Sequence, residues 1–203
     1  MIKFVVFICG AIVMSFEILG SRVLAPNFGS SVFVWGSLIS VFLAGLSAGY
    51  YLGGKFADIN PSSRKLSLII IAPGLLLLTF PLYSAPITDW IFMKDLGVRT
   101  SPLLASSVLF LIPSFFLGIV SPYTAKLMIC SLHTSGKTIG MLYALSTFGS
   151  IIGTLLTSFY LITVAGVNAL ITGQGALLVI ISTPLFFKNL SCKPEDNPPG
   201  NPT

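Results

Sequence analysis

The stretch IKFVVFICGAIVMSFEILGSRVL, residues Ile2–Leu24, decides how this chain is read. A bilayer core takes about 20 residues of apolar helix, and this run supplies them with Glu17 as the one charge well inside it. Lys3 ahead of an apolar run imitates a secretory signal. The run continues past Met14 to Leu24 without a small-x-small cleavage site, so it reads as an uncleaved first span. Five more stretches of the same kind follow: Ser31–Phe56, Leu66–Tyr83, Pro102–Val120, Ile139–Val164 and Val167–Phe187. The expectation is an all-α, polytopic bundle of about six transmembrane helices over residues 1–190. Residues 191–203, with four prolines and no apolar run, read as a disordered polar tail.

Composition agrees. Apolar residues make up 54% of the chain and charged residues 8%, against roughly 25% charged in an ordinary soluble domain. One soluble core could not hide that much apolar surface, whereas lipid accepts it. The net charge of +5 is therefore no argument for nucleic acid, and its placement carries the information. With the N-terminus inside, Lys3, Lys55, Arg64, Lys65, Lys126, Lys137, Lys188 and Lys193 fall on the cytoplasmic side. Arg22, Lys94 and Arg99 fall outside, a split of eight against three. That bias places both termini in the cytoplasm, and a bacterial inner membrane is the expected location.

Local signals fill in the frame. The break near Gly166 is short enough to make the last two helices a tight hairpin, and Pro73 and Pro113 should kink theirs. Pro86–Leu96 mixes Trp90, Phe92 and Met93 with Asp89, Lys94 and Asp95, the pattern of a short helix lying in the interface. Gly45, Gly49 and Gly53, and then Gly149 and Gly153, recur every fourth residue. Such ladders let backbones approach, most simply within one bundle.

Chemistry is sparse. Cys9, Cys130 and Cys192 form no CxxC pair, and His133 is the only histidine, so no disulfide framework, multi-histidine metal site or cofactor is expected. No GxGxxG, Walker A or GxSxG loop is present. An ionisable group inside a span is costly and is a functional candidate by default, which singles out Glu17: it either ties neighbouring helices while Arg22 snorkels to the outer interface, or faces a polar cavity and binds a cation. Arg22 lies five residues on, some 140° around a regular helix, so a direct pair requires the helix to unwind near Gly20; otherwise each group meets a different partner. Trp35, Tyr50 and Tyr143 complete the candidate intramembrane polar set. The second candidate is the loop motif of Gly53, Gly54, Lys55, Asp58 and Arg64, for which holding the cytoplasmic ends together is the favoured role.

Several of these runs resemble a known family. Glu17–Ser30, Val34–Ser37, Leu43–Asp58 and Gly140–Thr154, with Phe159–Leu161 and Ser121, Pro122, Tyr123 and Lys126, look like the membrane region of fused spermidine synthase-like proteins. In that family the membrane part is commonly joined to a cytoplasmic aminopropyltransferase-like domain of Rossmann type. The glycine-rich loop and catalytic aspartate of that domain have no counterpart in residues 1–203. The resemblance thus implies the membrane half, with the enzyme half supplied in trans or missing. Gly54–Asp58 followed by Arg64 and Lys65 is also similar to the cytoplasmic loop of major-facilitator transporters, of which six spans would be one half. Two functions follow as expectations. One is a non-enzymatic membrane scaffold or anchor subunit that holds a protein partner. The other is a half-transporter that dimerises to move a small solute, such as a polyamine-like cation, past Glu17.

Overall fold

A computed structural model describes residues 2–59, 61–129 and 135–187. Six helices long and apolar enough to cross a bilayer make up the described chain, and no strand occurs among those residues. They are α1 (Ile2–Phe28), α2 (Val32–Asp58), α3 (Ser63–Met93), α4 (Thr100–Met128), α5 and α6 (Val167–Phe187). The helix α5 runs from Ser135–Leu156 through one wide π turn, Thr157–Leu161, into a last turn at Ile162–Val164. The expected tail, with Lys188, Lys193 and Cys192, lies outside the described residues, as do Cys130 and His133.

All six spans cover the expected apolar runs, and the third and fourth outrun theirs, α3 to Met93 and α4 to Met128. Residues 86–93 do not form a separate interfacial helix; they continue α3 to Met93. Tertiary contacts hold those turns in line: Ser84, Thr88 and Ile91 are buried, and the Phe92 ring meets Phe28 edge-on at 6.2 Å. A helix of 31 residues is roughly 46 Å long at 1.5 Å per residue, so it outruns a hydrocarbon core of about 30 Å. Its last turns, with Trp90 and Met93 exposed, still reach the depth expected of an interface. The helices run uninterrupted through Pro73 and Pro113, and through Pro26, Pro81, Pro86, Pro122 and Pro184. Next to Pro113, the Ser114 hydroxyl donates to Phe110 O at 2.6 Å and so stays bonded to its own helix.

One end of the bundle carries the tight connections α1–α2, α3–α4 and α5–α6, and is called here the loop end. At this end Gly29 closes α1 with φ 71°, its N–H donating to Ala25 O at 2.9 Å, the left-handed termination that glycine permits. The opposite end holds the starts of α1, α3 and α5 and is called the terminal end.

The helices pair in a definite pattern: α1 with α5, α2 with α4 and α3 with α6 are the most extensive contacts. Glycine makes each possible. A Cβ on Gly149 or Gly153 would land on the carbonyl oxygens of Phe7 and Ala11, so α1 and α5 run parallel in close register. Gly45, Gly49 and Gly53 meet Ser114, Phe115 and Ile119 in turn, so α2 and α4 are parallel too. Gly74 packs on Gly175, and Ser67 donates to Ser182 O at 2.8 Å, an antiparallel α3–α6 seam. The ladders therefore serve packing inside one bundle. Exchanging each helix with the one three places on sends α1–α5 to α4–α2 and returns α3–α6 to itself. Three crossings separate the exchanged helices, so the operation reverses their direction, as in an inverted repeat.

At the centre Phe16, Phe42, Phe80 and Phe110, one from each of the first four helices, form a fully buried aromatic cluster. By contrast α5 is buried along one narrow face only, leaving Phe148, Leu155, Phe159 and Tyr160 exposed.

Candidate functional site

The helix α1 is regular through Gly20, which packs tightly on Leu38 and Phe110: an added Cβ would lie 3.1 Å from the side chain of each. The helix does not unwind between Glu17 and Arg22, so the two groups leave it in different directions. At 100° per residue, Phe7, Gly10 and Ala11 define the face packed on α5, while Phe16 and Gly20 define the face turned to α2 and α4. Glu17 falls between these faces, on the side where α2 and α5 stand apart. It is half-buried, and among the described residues its carboxyl has no hydrogen bond or ion pair. A carboxyl inside a span without a partner stands ready for a ligand or a proton.

Beyond Glu17 toward the loop end, α5 diverges from α1 and a cavity of about 410 Å³ opens. Its floor is α1, with Ser21 and Arg22; Ser30 and Trp35 form one wall and Ser158 and Ile162 the other. A second cavity of about 490 Å³ lies on the other side of α1, lined by Arg22 again with Asn27, Thr88, Asp89 and Asn168. There Asn27 Nδ2 donates to Asp89 Oδ1 at 2.7 Å. Arg22 thus borders both spaces, and among the described residues it forms no ion pair.

Tyr50 and Tyr143 do not join this group. They lie within electrostatic range of each other across the space between α2 and α5. However, the register that sets Gly149 beside Phe7 puts Tyr143 level with the start of α1, roughly 24 Å along the axis from Glu17 at 1.5 Å per residue. The candidate set divides into Glu17, Arg22 and Trp35 toward the loop end and two tyrosines toward the terminal end.

The terminal-end motif has structural work. Gly53 lies against Ile119 and Pro122, whereas Gly54 faces open space. Lys55 sits 4.5 Å over the Tyr51 ring. Asp58 Oδ1 accepts from Lys126 Nζ at 2.7 Å, tying α2 to α4. Ser62 caps α3 by accepting the Arg64 N–H at 3.3 Å, and its own N–H donates to the Tyr123 hydroxyl at 3.0 Å. Both partners of the Asp58–Lys126 pair are substantially exposed, and exposed pairs contribute about 0.2–1 kcal/mol. A double-mutant cycle on Asp58→Ala and Lys126→Ala, read by thermal unfolding in detergent, should give a coupling below about 1 kcal/mol. A larger coupling would show that the pair is shielded from water.

Sequence reasoning missed one feature. Ser15 on α1 shares a hydrogen bond with Thr157 on α5 at 2.5 Å, and Gln174 Nε2 on α6 donates to Ser15 Oγ. This chain of polar groups joins three helices, and the π turn of α5 begins at its Thr157 member. Gln174, the only glutamine in the chain, sits near the middle of an apolar span; that placement was the available signal. Among the described residues no cluster of three or more His, Cys, Asp or Glu could hold a metal. Comparison with protein-family models, curated proteins and solved structures finds no match to this chain.

Proposed function

We propose that this chain is a membrane transport protein, a six-helix half-bundle that pairs with a second copy to move a small, amine-bearing solute. The observation that carries this reading is Glu17, a carboxyl within a span, placed where α2 and α5 stand apart and without a partner among the described residues. A scaffold has no use for such a group and would be expected to tie it to a neighbouring helix. The pairing pattern supports the same reading, since it has the form of an inverted three-helix repeat. Among the described residues the terminal end carries Lys3, Lys55, Arg64, Lys65, Lys126 and Lys137. By the positive-inside rule that end faces the cytoplasm, in a bacterial inner membrane.

A second reading, an anchor subunit related to spermidine synthase-like membrane domains, is favoured by the thin attachment of α5 and its exposed aromatic faces. It predicts a stoichiometric protein partner on purification in mild detergent, where the transport reading predicts a homodimer.

The test is uptake of radiolabelled polyamines and amino acids into proteoliposomes. Wild-type protein should accumulate at least one of these solutes, and Glu17→Gln should drop to the protein-free background. Transport by Glu17→Gln at the wild-type rate would remove Glu17 from the pathway. No movement of any amine-bearing solute by wild type would overturn the transport reading.

A further inference from the structure

At the terminal end a groove of about 590 Å³ runs between α2 and α3 with α4 as its floor. From its lining we infer that it seats one acyl chain of a phospholipid whose anionic headgroup is met by Lys65; the inference stands apart from the transport reading. The groove exists because α2 and α3 each pack on α4 but, among the described residues, hardly on each other. Leu52 and Phe56 form one wall, Leu68 the other, and Phe115 and Ile119 the floor. Phe56 and Leu68 are exposed on helices that span the bilayer, so hydrocarbon is what surrounds them. The floor from Phe115 to Tyr123 extends roughly 12 Å along α4 at 1.5 Å per residue, room for the upper part of an acyl chain.

The charge stands at the outer end of this slot. Among the described residues lining it only Lys65 is charged. Its Nζ donates to Ile59 O at 3.0 Å, reaching from the first turn of α3 to the end of α2. That sets the ammonium across the mouth, beside the positive end of a 31-residue helix. Arg64 precedes it, and Lys55 lies next to Phe56 in the chain. Asp58, the one acid at this end among the described residues, is engaged by Lys126 at 2.7 Å. The mouth is therefore basic and the slot below it apolar. An anionic phospholipid carries the complement of both in one molecule, and basic pockets between spans recognise such headgroups. A zwitterionic headgroup would bring a second ammonium toward Lys65. A helix from a second copy could cover the walls, but it would leave the basic mouth without a counter-charge.

The test uses the full chain, stripped of lipid in mild detergent and then titrated with phosphatidylglycerol or phosphatidylcholine of identical chains. Native mass spectrometry counts the bound lipid, and thermal unfolding follows the stabilisation that binding gives. The expected result is a single phosphatidylglycerol per chain, retained where phosphatidylcholine is lost, with a saturable rise in Tm. Lys65→Gln should weaken phosphatidylglycerol about fivefold, the effect of one basic side chain near anionic lipid, and leave phosphatidylcholine unchanged. Lys94→Gln removes the same charge at the loop end, beside Trp90, and should bind phosphatidylglycerol as wild type does. Leu68→Trp fills the slot from the α3 wall and should weaken both lipids; it decides the matter should Lys65→Gln fail to fold. Equal binding of the two lipids by wild type, or a preference unchanged in Lys65→Gln, overturns the inference. Phosphatidylglycerol binding unchanged in Leu68→Trp does the same. An equal loss in Lys94→Gln would reduce the effect to net charge and overturn it, as would a homodimer that retains no lipid.

Discussion

Gly149→Leu and Gly153→Leu are each expected to detach α5 from α1 and to cost the bundle several kcal/mol, as overpacking in a tight seam does when nothing can move aside. Even the first atom of a new side chain would land on a backbone carbonyl, that of Phe7 or Ala11. Backbone cannot swing away as a flexible side chain can, so the helices must separate, and α5 has no other broad face packed on the bundle. The loss should show as a lower unfolding temperature in detergent and faster proteolysis within α5. Gly54→Ala and Gly140→Ala provide the control, since an added Cβ at either position meets open space. Those two should be neutral or stabilising by about 0.5–1 kcal/mol, the helix preference of alanine over glycine. Equal behaviour of the two groups would mean that the α1–α5 seam is not as close as described.

The second large effect is expected at Phe16→Ala. The ring is fully buried and stands edge-on to three others, with centroids 5.6 Å from Phe42, 5.5 Å from Phe80 and 5.2 Å from Phe110. Lipid tails are as apolar as the ring, so its worth in a bilayer comes from packing contacts more than from escape from water. Truncation leaves a void that four helices must collapse to fill, at a cost of about 3–5 kcal/mol. Phe16→Leu should cost less than about 1.5 kcal/mol, because volume is nearly conserved. Steric trapping or reversible denaturation in micelles measures both. If Phe16→Ala stays within 1 kcal/mol of wild type, the cluster is not the centre of the packing.

How much of this could be read in advance follows from the physics of each signal. Six spans were legible because hydrocarbon thickness demands a length of apolar sequence that few other contexts produce. The glycine ladders were legible as close approach, but which helices they join was not. Spacing marks a face; the partner opposite depends on the whole bundle, as Gly149 against Phe7 and Gly49 against Gly118 show. The extension of α3 to Met93 was misread because its last turns carry charges and aromatics suited to an interface, and only the burial of Ser84, Thr88 and Ile91 keeps them coaxial. At the candidate site, Glu17 stood out by cost alone, and its neighbour Arg22 by charge. The Ser15–Thr157–Gln174 chain was hidden because serine and threonine are ordinary in membrane helices, where they bond their own backbone as Thr124 does to Val120. Conversely, Trp35, Tyr50 and Tyr143 were grouped by residue type, and the register of α1 and α5 separates the tyrosines from the rest.

The exchange that carries each helix to the one three places on also sends α2 to α5 and α5 to α2. The space between those two helices is therefore its own image, turned end for end. At one mouth it is floored by α1, with Arg22 and Trp35 at the rim; the same operation assigns the floor of the other mouth to α4. That opposite mouth is where Tyr50 and Tyr143 stand, half-exposed and within reach of each other's field. One slot thus shows a charged, indole-lined face to one side of the bilayer and a phenolic face to the other.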